Sequence, residues 1–434
     1  MKSVNGKNNK MQINLNLNVR GIPQSSTLRI NEQSEELKKQ GKHIYKLGLG
    51  QSPFPVPEPV VEELRVNAYQ KDYLPVKGLK RLREAVADYH CRAQGVCYQW
   101  EDVLVGPGSK ELMFLLQFVY YGDLVIPTPS WVSYAPQANI IGRHVRWLST
   151  KCESNWKLTP DELYNVCKDD PDRPRIVILN YPANPSGTTY KTDELKELAK
   201  VARKYHVVLL SDEIYGELHH KGQHVSISRF YPEGTIISGG ISKWCGAGGW
   251  RLGTFIFPES LRWLLDSMAS VASETFTSTS APIQYAAVRA FKGGMEIERY
   301  LWQSRRILRT LGKEFTNKLI SAGADVPTPE GGFYLFPDFS KFKNKFESMG
   351  ITTGREFCSK LLEDTGVAIL PGSDFGRPQD EFTARIAYVD FDGSHALANA
   401  EQVPSEKSLN GNFLEMSCGR VVEAADKICS WLNN

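Results

Sequence analysis

Residues 235–257 read TIISGGISKWCGAGGWRLGTFIF, and this stretch decides the fold. It begins with an apolar, β-branched run, TIISGG at 235–240, and it ends with a second apolar run, GTFIF at 253–257. Short runs of this kind, bounded by glycine, predict buried β-strands. Between the two runs stand small residues, one lysine (Lys243) and one arginine (Arg251). The stretch therefore predicts two strands of a buried sheet with a chemically distinctive connection.

The same pattern recurs upstream, with helical segments between successive strands. Further strands are predicted for VRWL at 145–148, RIVILN at 175–180 and VVLLSDE at 207–213, and helices for 109–120, 191–205 and 259–273. Strands that are apolar throughout, each followed by a helix, favour an α/β fold with a mostly parallel sheet sandwiched by helices. In such sheets the ligand site lies beyond the carboxyl ends of the strands.

The C-terminal part has a different pattern. It predicts helices at 312–322 and 354–364 and strands at 331–336 and 384–389, which together indicate a smaller α+β domain. The predicted organisation is an N-terminal arm at 1–30, a small domain built from both chain ends at 31–60 and 311–434, and a large domain at 61–310.

Three further segments carry structural predictions. In the arm, Ile13, Leu15, Leu17 and Val19 alternate with polar residues, which is typical of a short strand or of an arm laid on a neighbour. Residues 31–41 predict a helix that ends at Gly41. The polar segment 392–412 predicts an exposed, loop-like insertion.

Composition and charge narrow the class of protein. The 434-residue chain is 41% hydrophobic and has a net charge of +3, so neither nucleic acid nor an anionic membrane is expected as partner. No apolar run approaches the ~18 residues of a membrane-spanning helix. Neither a secretory signal nor an Arg/Ser-rich transit peptide is recognised, and the eight cysteines form no CxxC pair. We expect a cytoplasmic enzyme with reduced thiols.

Lys243 is the candidate nucleophile. A lysine that forms an imine needs a depressed pKa, which cationic neighbours such as Arg251 provide, and small residues let a planar cofactor approach the backbone. Taken alone, Lys243 would more commonly be an exposed surface lysine. The residues around Lys243, at 240–253, favour the cofactor-binding interpretation instead.

The segment GISKWCGAGGWRLG, from Gly240 through Lys243 and Arg251 to Gly253, resembles the cofactor attachment site of the class I and II aminotransferases. These are pyridoxal-phosphate enzymes of fold type I. The resemblance extends in order from about residue 44 to residue 390, and it is closest to the bacterial-type aspartate and aromatic aminotransferase branch. It implies that pyridoxal 5'-phosphate is bound by the large domain and carried as a Schiff base on Lys243.

The resemblance also implies roles around the cofactor ring. Asp212 would pair with the ring nitrogen, although an acid after a strand is more often a helix cap. Tyr215 and Asn184 would hydrogen-bond the ring's phenolic oxygen, and Asn180 would support the loop NYPANPSG at 180–187, which is otherwise an ordinary turn. Trp131 would stack on the ring and face the substrate, unless it is a core tryptophan.

The cofactor's phosphate would bind at the turn before the helix at 109–120. Gly108, Ser109 and Lys110 match this turn, with Arg251 and Ser242 adding a guanidinium and a hydroxyl. Gly240 stands where many relatives have a serine, so one phosphate contact is missing or replaced.

Substrate would be bound by four residues, Gly50, Trp131, Asn184 and Arg385, and Tyr73 would reach across a dimer. Arg385 would clamp the substrate carboxylate, or else be a strand-face arginine, and the backbone of Gly50 would lie beside the substrate. Tyr73 would contact the phosphate of the other subunit's cofactor, which implies an isologous homodimer with shared active sites.

These residues predict a ping-pong transamination between an L-amino acid and a 2-oxo acid, with Lys243, Asp212 and Tyr215 as catalytic residues. The alternatives are another pyridoxal-phosphate reaction on the same fold, such as a carbon–sulfur lyase, a cyclase or synthase, or an oxidase, and a non-catalytic regulator. Acidic or aromatic substrates are expected, with Lys110 as a candidate second cation. His219, His220 and His224 could suggest a metal site, but we predict a solvated loop and no metal.

Overall fold

The computed structural model describes residues 14–20 and 26–434. The helices of this part are α1 (Ser26–Lys39), α2 (Glu58–Asn67), α3 (Lys80–Gln94), α4 (Ser109–Val119), α5 (Tyr134–Ile140), α6 (Pro160–Cys167), α7 (Thr192–Lys204), α8 (Arg262–Ser273), α9 (Ala281–Lys292), α10 (Met295–Ala322), α11 (Lys343–Ser348), α12 (Gly354–Thr365), α13 (Gly393–Glu401) and α14 (Gly411–Asn433). The strands are β1 (Tyr45–Lys46), β2 (Val103–Gly106), β3 (Asp123–Thr128), β4 (Val145–Ser149), β5 (Arg175–Asn180), β6 (Val208–Asp212), β7 (Thr235–Gly240), β8 (Gly253–Ile256), β9 (Tyr334–Leu335), β10 (Val367–Ala368), β11 (Leu370–Pro371) and β12 (Ala384–Ala387).

A seven-stranded sheet in the order β2-β8-β7-β6-β5-β3-β4 forms the centre of the fold. The pairs from β7 through β6, β5 and β3 to β4 are parallel, whereas β8 is antiparallel to both of its neighbours. The predicted mostly parallel α/β sheet is therefore confirmed. The strand predicted at 253–257 also exists, as an antiparallel member.

Side chains pack on both faces of this sheet, since alternate strand residues point to opposite sides and helices cover each side. Leu124, Ile176 and Leu210 pack on one face in a cluster with residues of α4 and α8. Val177 and Leu209 pack on the other face with residues of α6 and α7. Helices on both faces explain why the inner strands β5, β6 and β7 are almost wholly buried.

Two small sheets lie outside the seven-stranded sheet, and most of their strands follow α10 in the chain. Strands β11, β12 and β9 form a three-stranded sheet with antiparallel pairs, and β1 pairs in parallel with β10, which joins the two chain ends. The helix predicted at 312–322 is the last part of the 28-residue α10. The domain boundary predicted at residue 311 falls inside this continuous helix, and the division into domains stays a prediction.

Three predictions need correction. The strand predicted in the arm is wrong, because residues 17–20 form a turn, with Leu15, Leu17 and Val19 exposed, while Ile13 lies outside the described residues. The alternative, an arm laid on a neighbour, stays a prediction. The segment 392–412 is not all loop, because Asp392 caps α13 by accepting from the backbone amides of Ser394 and His395.

The third correction concerns redox state. Cys91 and Cys97 form a disulfide, because the end of α3 and the loop after it bring their Cα atoms within 4.3 Å. The expectation that every cysteine is reduced is therefore wrong for this pair.

Within the described ranges, no helix is both long enough and apolar enough to cross a membrane.

Candidate active site

A cavity of about 480 Å³ opens at the carboxyl ends of β5, β6 and β7. Most of the predicted site residues line it: Gly50, Gly108, Ser109, Lys110, Trp131, Asn184, Asp212, Tyr215, Ser242, Lys243 and Arg251. Arg385 and Tyr73 do not line it. Residues from positions 50 to 251 meet here because parallel strands end at the same edge of a sheet.

Lys243 lies just after β7, and its amine is buried. The Nζ atom donates a hydrogen bond of 2.9 Å to the carbonyl oxygen of Gly50. Burial, followed by the nearby charge of Arg385, lowers the pKa of Lys243 to about 8. A larger share of neutral, nucleophilic amine is therefore present near neutral pH than for an ordinary lysine.

Asp212, the last residue of β6, is buried beneath the cavity. Its carboxylate accepts hydrogen bonds from the hydroxyl of Tyr134 at 2.6 Å and from that of Ser238 at 3.2 Å. Burial raises the pKa of Asp212 to about 6, against the opposing effect of these donors. A cation placed against this carboxylate would restore its charge and lower its pKa.

The loop after β5 is fixed by Asn180, as predicted for a supporting role. Its amide donates to the backbone carbonyl of Asp212 at 2.9 Å, and its Oδ1 atom accepts from the backbone amide of Asn184 at 2.7 Å. These two bonds hold the side chain of Asn184 at the cavity wall, beside Asp212.

Tyr215 is paired with a tyrosine that sequence analysis missed. Its hydroxyl lies 2.8 Å from the hydroxyl of Tyr334 on β9, and burial raises the pKa of Tyr215 well above its usual value. The pair therefore stays protonated at neutral pH and can donate one hydrogen bond into the site.

One end of the cavity is built to receive an anion. Ser109 begins α4, so the positive end of the helix and its free amides face the cavity. At Gly108, which has φ of 92°, a Cβ atom would stand 2.3 Å from Nη2 of Arg251. Glycine is favoured here because any other residue would be strained at this φ, and its lack of a Cβ atom also leaves the space beside the turn to the guanidinium.

Lys110 and Trp131 form the adjoining wall. The Nζ atom of Lys110 lies 5.4 Å from the centre of the Trp131 ring, which meets Tyr134 edge to face at 5.3 Å. Burial and the charge of Arg251 lower the pKa of Lys110.

Arg385, on β12, lies buried behind Asn184. It donates to the Oδ1 atom of Asn184 at 3.2 Å and to the carbonyl of Gly48 at 2.6 Å, between the rings of Tyr334 and Phe375 at 4.9 Å each. Its Nε atom is buried without a partner. No carboxylate in the described ranges forms a salt bridge with this guanidinium.

Tyr73 is 89% exposed and lies away from the cavity of its own chain.

Comparison with known proteins places this geometry in a family. The sequence model described as "Aminotransferase class I and II" matches residues 42–393. The chain belongs to this family.

Relatives of this aminotransferase agree with the assignment. The aspartate aminotransferase of Bacillus sp. (strain YM-2) is 32% identical over 85% of this chain and 93% of its own length. That of Geobacillus stearothermophilus is 33% identical over 85% of this chain and 93% of its own. The structure of Thermus thermophilus aspartate aminotransferase with maleate matches with a TM-score of 0.81 and 27% identity, over 96% of this chain and 100% of that one.

As a member of this family, the enzyme transfers amino groups with pyridoxal 5'-phosphate as cofactor. The residues present fit that cofactor. The glycine turn with Arg251 suits a phosphate, the Asp212 carboxylate suits a protonated ring nitrogen, and the buried amine of Lys243 suits an aldehyde carbon. The alternatives of another reaction class or a non-catalytic regulator have no support among these relatives.

Sequence analysis of this aminotransferase missed two tyrosines, Tyr134 and Tyr334. Each contacts a predicted residue that is distant in sequence, Asp212 in the first case and Tyr215 in the second. The Gly-Gly turn at 331–332 that leads into β9 was the only local signal for Tyr334.

His219 and His220 are buried and His224 is half-buried, so the prediction of a solvated loop is wrong for these side chains, whereas residues 221–223 between them are exposed. The two ring nitrogens of His220 face the carbonyls of Pro329 and Gly332 at 3.1 and 3.0 Å, and His224 bonds Glu213 at 2.8 Å. The described residues contain no group of three histidine, cysteine or acidic side chains that could hold a metal.

Proposed function

We propose that this aminotransferase acts on acidic amino acids, taking the amino group of aspartate or glutamate and giving it to a 2-oxo acid. The observation that carries the acidic preference is the cation Lys110 in the wall of the cavity. The α-carboxylate, which every amino donor has, is assigned to the buried guanidinium of Arg385, which has no carboxylate as a salt-bridge partner in the described ranges. Its hydrogen-bond acceptors are the neutral oxygens of Asn184 and Gly48.

A buried charge without a counter-charge is costly unless a ligand supplies one. The acid that acts electrostatically on Arg385 is Asp374, which is already paired with Arg355 at 3.1 Å and with Arg29 at 3.6 Å. A substrate α-carboxylate that displaces the amide of Asn184 would give Arg385 the planar partner that its fork accommodates.

Lys110 is proposed as the partner of the distal carboxylate. It lines the same cavity, and burial together with the charge of Arg251 disfavours its charged form. A second substrate carboxylate would stabilise the charged form of Lys110. Maleate, which accompanies the Thermus thermophilus enzyme, is itself a dicarboxylate.

The remaining residues have proposed catalytic and positioning roles. When bound, the cofactor withdraws electrons from the substrate's Cα–H bond. Lys243 would hold the cofactor covalently in the resting enzyme and then take the Cα proton with its amine. Asp212 would keep the cofactor's ring nitrogen protonated, and Tyr215 with Asn184 would orient its phenolic oxygen. Ser109 and Ser242 would donate hydrogen bonds from their hydroxyls to the phosphate oxygens.

We also propose a homodimer with shared active sites. Tyr73 and Tyr69 are 89% and 74% exposed on the single chain, which is unusual for aromatic side chains and suits an interface.

The proposed location is the cytoplasm. Six of the eight cysteines are free thiols, which supports this location, whereas the Cys91–Cys97 disulfide counts against it.

A panel of amino donors with 2-oxoglutarate tests the substrate proposal, with aspartate, asparagine, phenylalanine and alanine compared by kcat/KM. Glutamate is tested with oxaloacetate as acceptor. We expect aspartate or glutamate to give the highest value. A higher value for phenylalanine or alanine than for both acidic donors would contradict the proposal.

A further inference from the structure

A second cavity, of about 550 Å³, lies outside the active site and is lined by cations. One wall is the exposed side of α10, a second is the loop around residues 220–223, and a third is the segment 405–409 between α13 and α14. The cationic side chains that line it are Lys221, Arg305, Arg306, Arg309, Lys313 and Lys407. The acid among the lining residues is Glu406. We call this cavity the basic cleft.

Two of these cations hold the walls together. Arg305 donates to the carboxylate and to the backbone carbonyl of Glu217. Arg306 donates to the carbonyls of Ala400, Val403, Pro404 and Lys407, which fixes the segment after α13 against α10. The cleft therefore has walls joined by hydrogen bonds.

The other four cations form no ion pair with a described residue, although Lys221 interacts electrostatically with the carboxyl of Glu330. The side chains of Lys221, Arg309, Lys313 and Lys407 form no hydrogen bond or ion pair with any described residue. All four are exposed to the cleft side of the surface. They carry four positive charges, and the carboxylates that act on the cleft cations are Glu406, near Arg306, and Glu330, near Lys221.

The arrangement at this part of α10 differs from that on α7. On α7, Lys196 pairs with Asp193 and Lys200 with Glu197, each three residues apart. On α10, Arg305, Arg309 and Lys313 follow one another at four-residue spacing, about 6 Å apart along the axis. Like charges at this spacing repel and destabilise a helix, and a bound anion relieves that repulsion.

We propose that the basic cleft binds a small polyphosphate anion. A row of cations along one helix suits a ligand with several negative charges in line, and the guanidinium of Arg309 can bind phosphate oxygens in a planar fork. The ring of Trp302 on the same wall is 40% exposed, has the guanidinium of Arg306 at 5.0 Å from its centre, and adds aromatic surface beside that row. The cleft is of small-molecule size, which favours such a ligand over an extended acidic peptide.

The test uses holoenzyme freed of excess cofactor, so that the active-site phosphate position is filled. Tripolyphosphate is titrated calorimetrically at physiological ionic strength into the wild type and into the double variant Arg309→Gln/Lys313→Gln. The matched control is Lys151→Gln/Lys168→Gln, which removes two equally exposed and unpaired lysines that do not line the cleft.

We expect one tripolyphosphate per chain in the wild type and in the control, and at least tenfold weaker binding in the cleft variant. Equal dissociation constants in all three proteins, or no binding to the wild type, would overturn the proposal. So would a penta-glutamate peptide that binds more tightly than tripolyphosphate.

A parallel titration with ATP identifies the source of the phosphates. Tenfold tighter binding of ATP than of tripolyphosphate means that a nucleotide is recognised, with its base against Trp302. Equal binding means that the phosphate chain alone is recognised. Either result supports the proposal, provided that the double variant Arg309→Gln/Lys313→Gln binds both ATP and tripolyphosphate more weakly than the wild type does.

Discussion

The amine of Lys243 donates a 2.9 Å hydrogen bond to the carbonyl of Gly50, a residue 193 positions earlier in the chain. The hydroxyl of Tyr334 also reaches this carbonyl, at 3.4 Å. A Cβ atom at Gly50 would stand 1.9 Å from that hydroxyl. Gly50 therefore connects the proposed nucleophile with the tyrosine that is paired with Tyr215.

Gly50→Ala should lower kcat/KM by about a hundredfold, because Tyr334 must move away and a displacement of about 1 Å at an active site has an effect of that size. Steady-state kinetics with the best donor measure this. Gly419→Ala is the control, since its Cβ would meet no atom within 4 Å. Equal kinetics for Gly50→Ala and wild type would mean that this close contact has no catalytic importance.

Arg385→Gln should raise the KM for the amino donor and lower kcat/KM by roughly ten- to a hundredfold, the range of a lost charge-assisted hydrogen bond. The melting temperature of Arg385→Gln should equal that of the wild type, because the variant removes a buried charge that has no salt-bridge partner.

Arg377→Gln is the matched control for Arg385→Gln. Arg377 is also buried, but it donates to both carboxylate oxygens of Glu381 at 2.8 Å. Its loss should lower the melting temperature and leave KM unchanged. The reverse result, with Arg377→Gln raising KM and Arg385→Gln lowering stability, would exclude Arg385 as the carboxylate clamp.

Cofactor affinity should fall as the pH drops through about 6. In the free protein burial raises the pKa of Asp212 to about 6, and a protonated ring nitrogen would lower it. Because binding then favours the ionised carboxylate, the affinity is full above pH 6 and declines below it. Equilibrium titration of apoenzyme with cofactor between pH 5 and 8 measures the effect. Asp212→Asn should bind more weakly and lack this step, and an unchanged pH profile in that variant would contradict the pairing.

The sequence predicted those parts of the site that short local motifs encode. Asp212, Lys243 and Asn184 each follow an apolar strand run, and parallel strands necessarily bring such positions to one edge. Tyr134 and Tyr334 could not be predicted, since they contact Asp212 and Tyr215 across 78 and 119 residues of sequence.

Polar segments are wrongly predicted as solvated loops where the fold supplies hydrogen-bond partners from distant parts of the chain. His220 was predicted to be solvated, yet the carbonyls of Pro329 and Gly332 make its burial possible. The segment 392–412 looked like a loop because its composition is polar, whereas Asp392 caps a helix there. Propensity is a weak guide when tertiary contacts satisfy the backbone and side chains.

Lys110→Gln should reduce kcat/KM for aspartate roughly tenfold or more and leave that for alanine nearly unchanged, because only aspartate has a distal carboxylate. Cofactor affinity is measured in parallel, since Lys110 also lies near Arg251. Equal losses for aspartate and alanine, together with weaker cofactor binding, would assign Lys110 to the cofactor's phosphate instead.

The covalent attachment of pyridoxal phosphate to Lys243 is the central claim, and reduction of the holoenzyme with borohydride followed by peptide mass spectrometry tests it most directly. We expect the added mass of the reduced cofactor on the peptide that contains Lys243, and no such addition in Lys243→Ala. Cofactor mass on a different lysine, or on none in a protein that retains activity, would contradict the account.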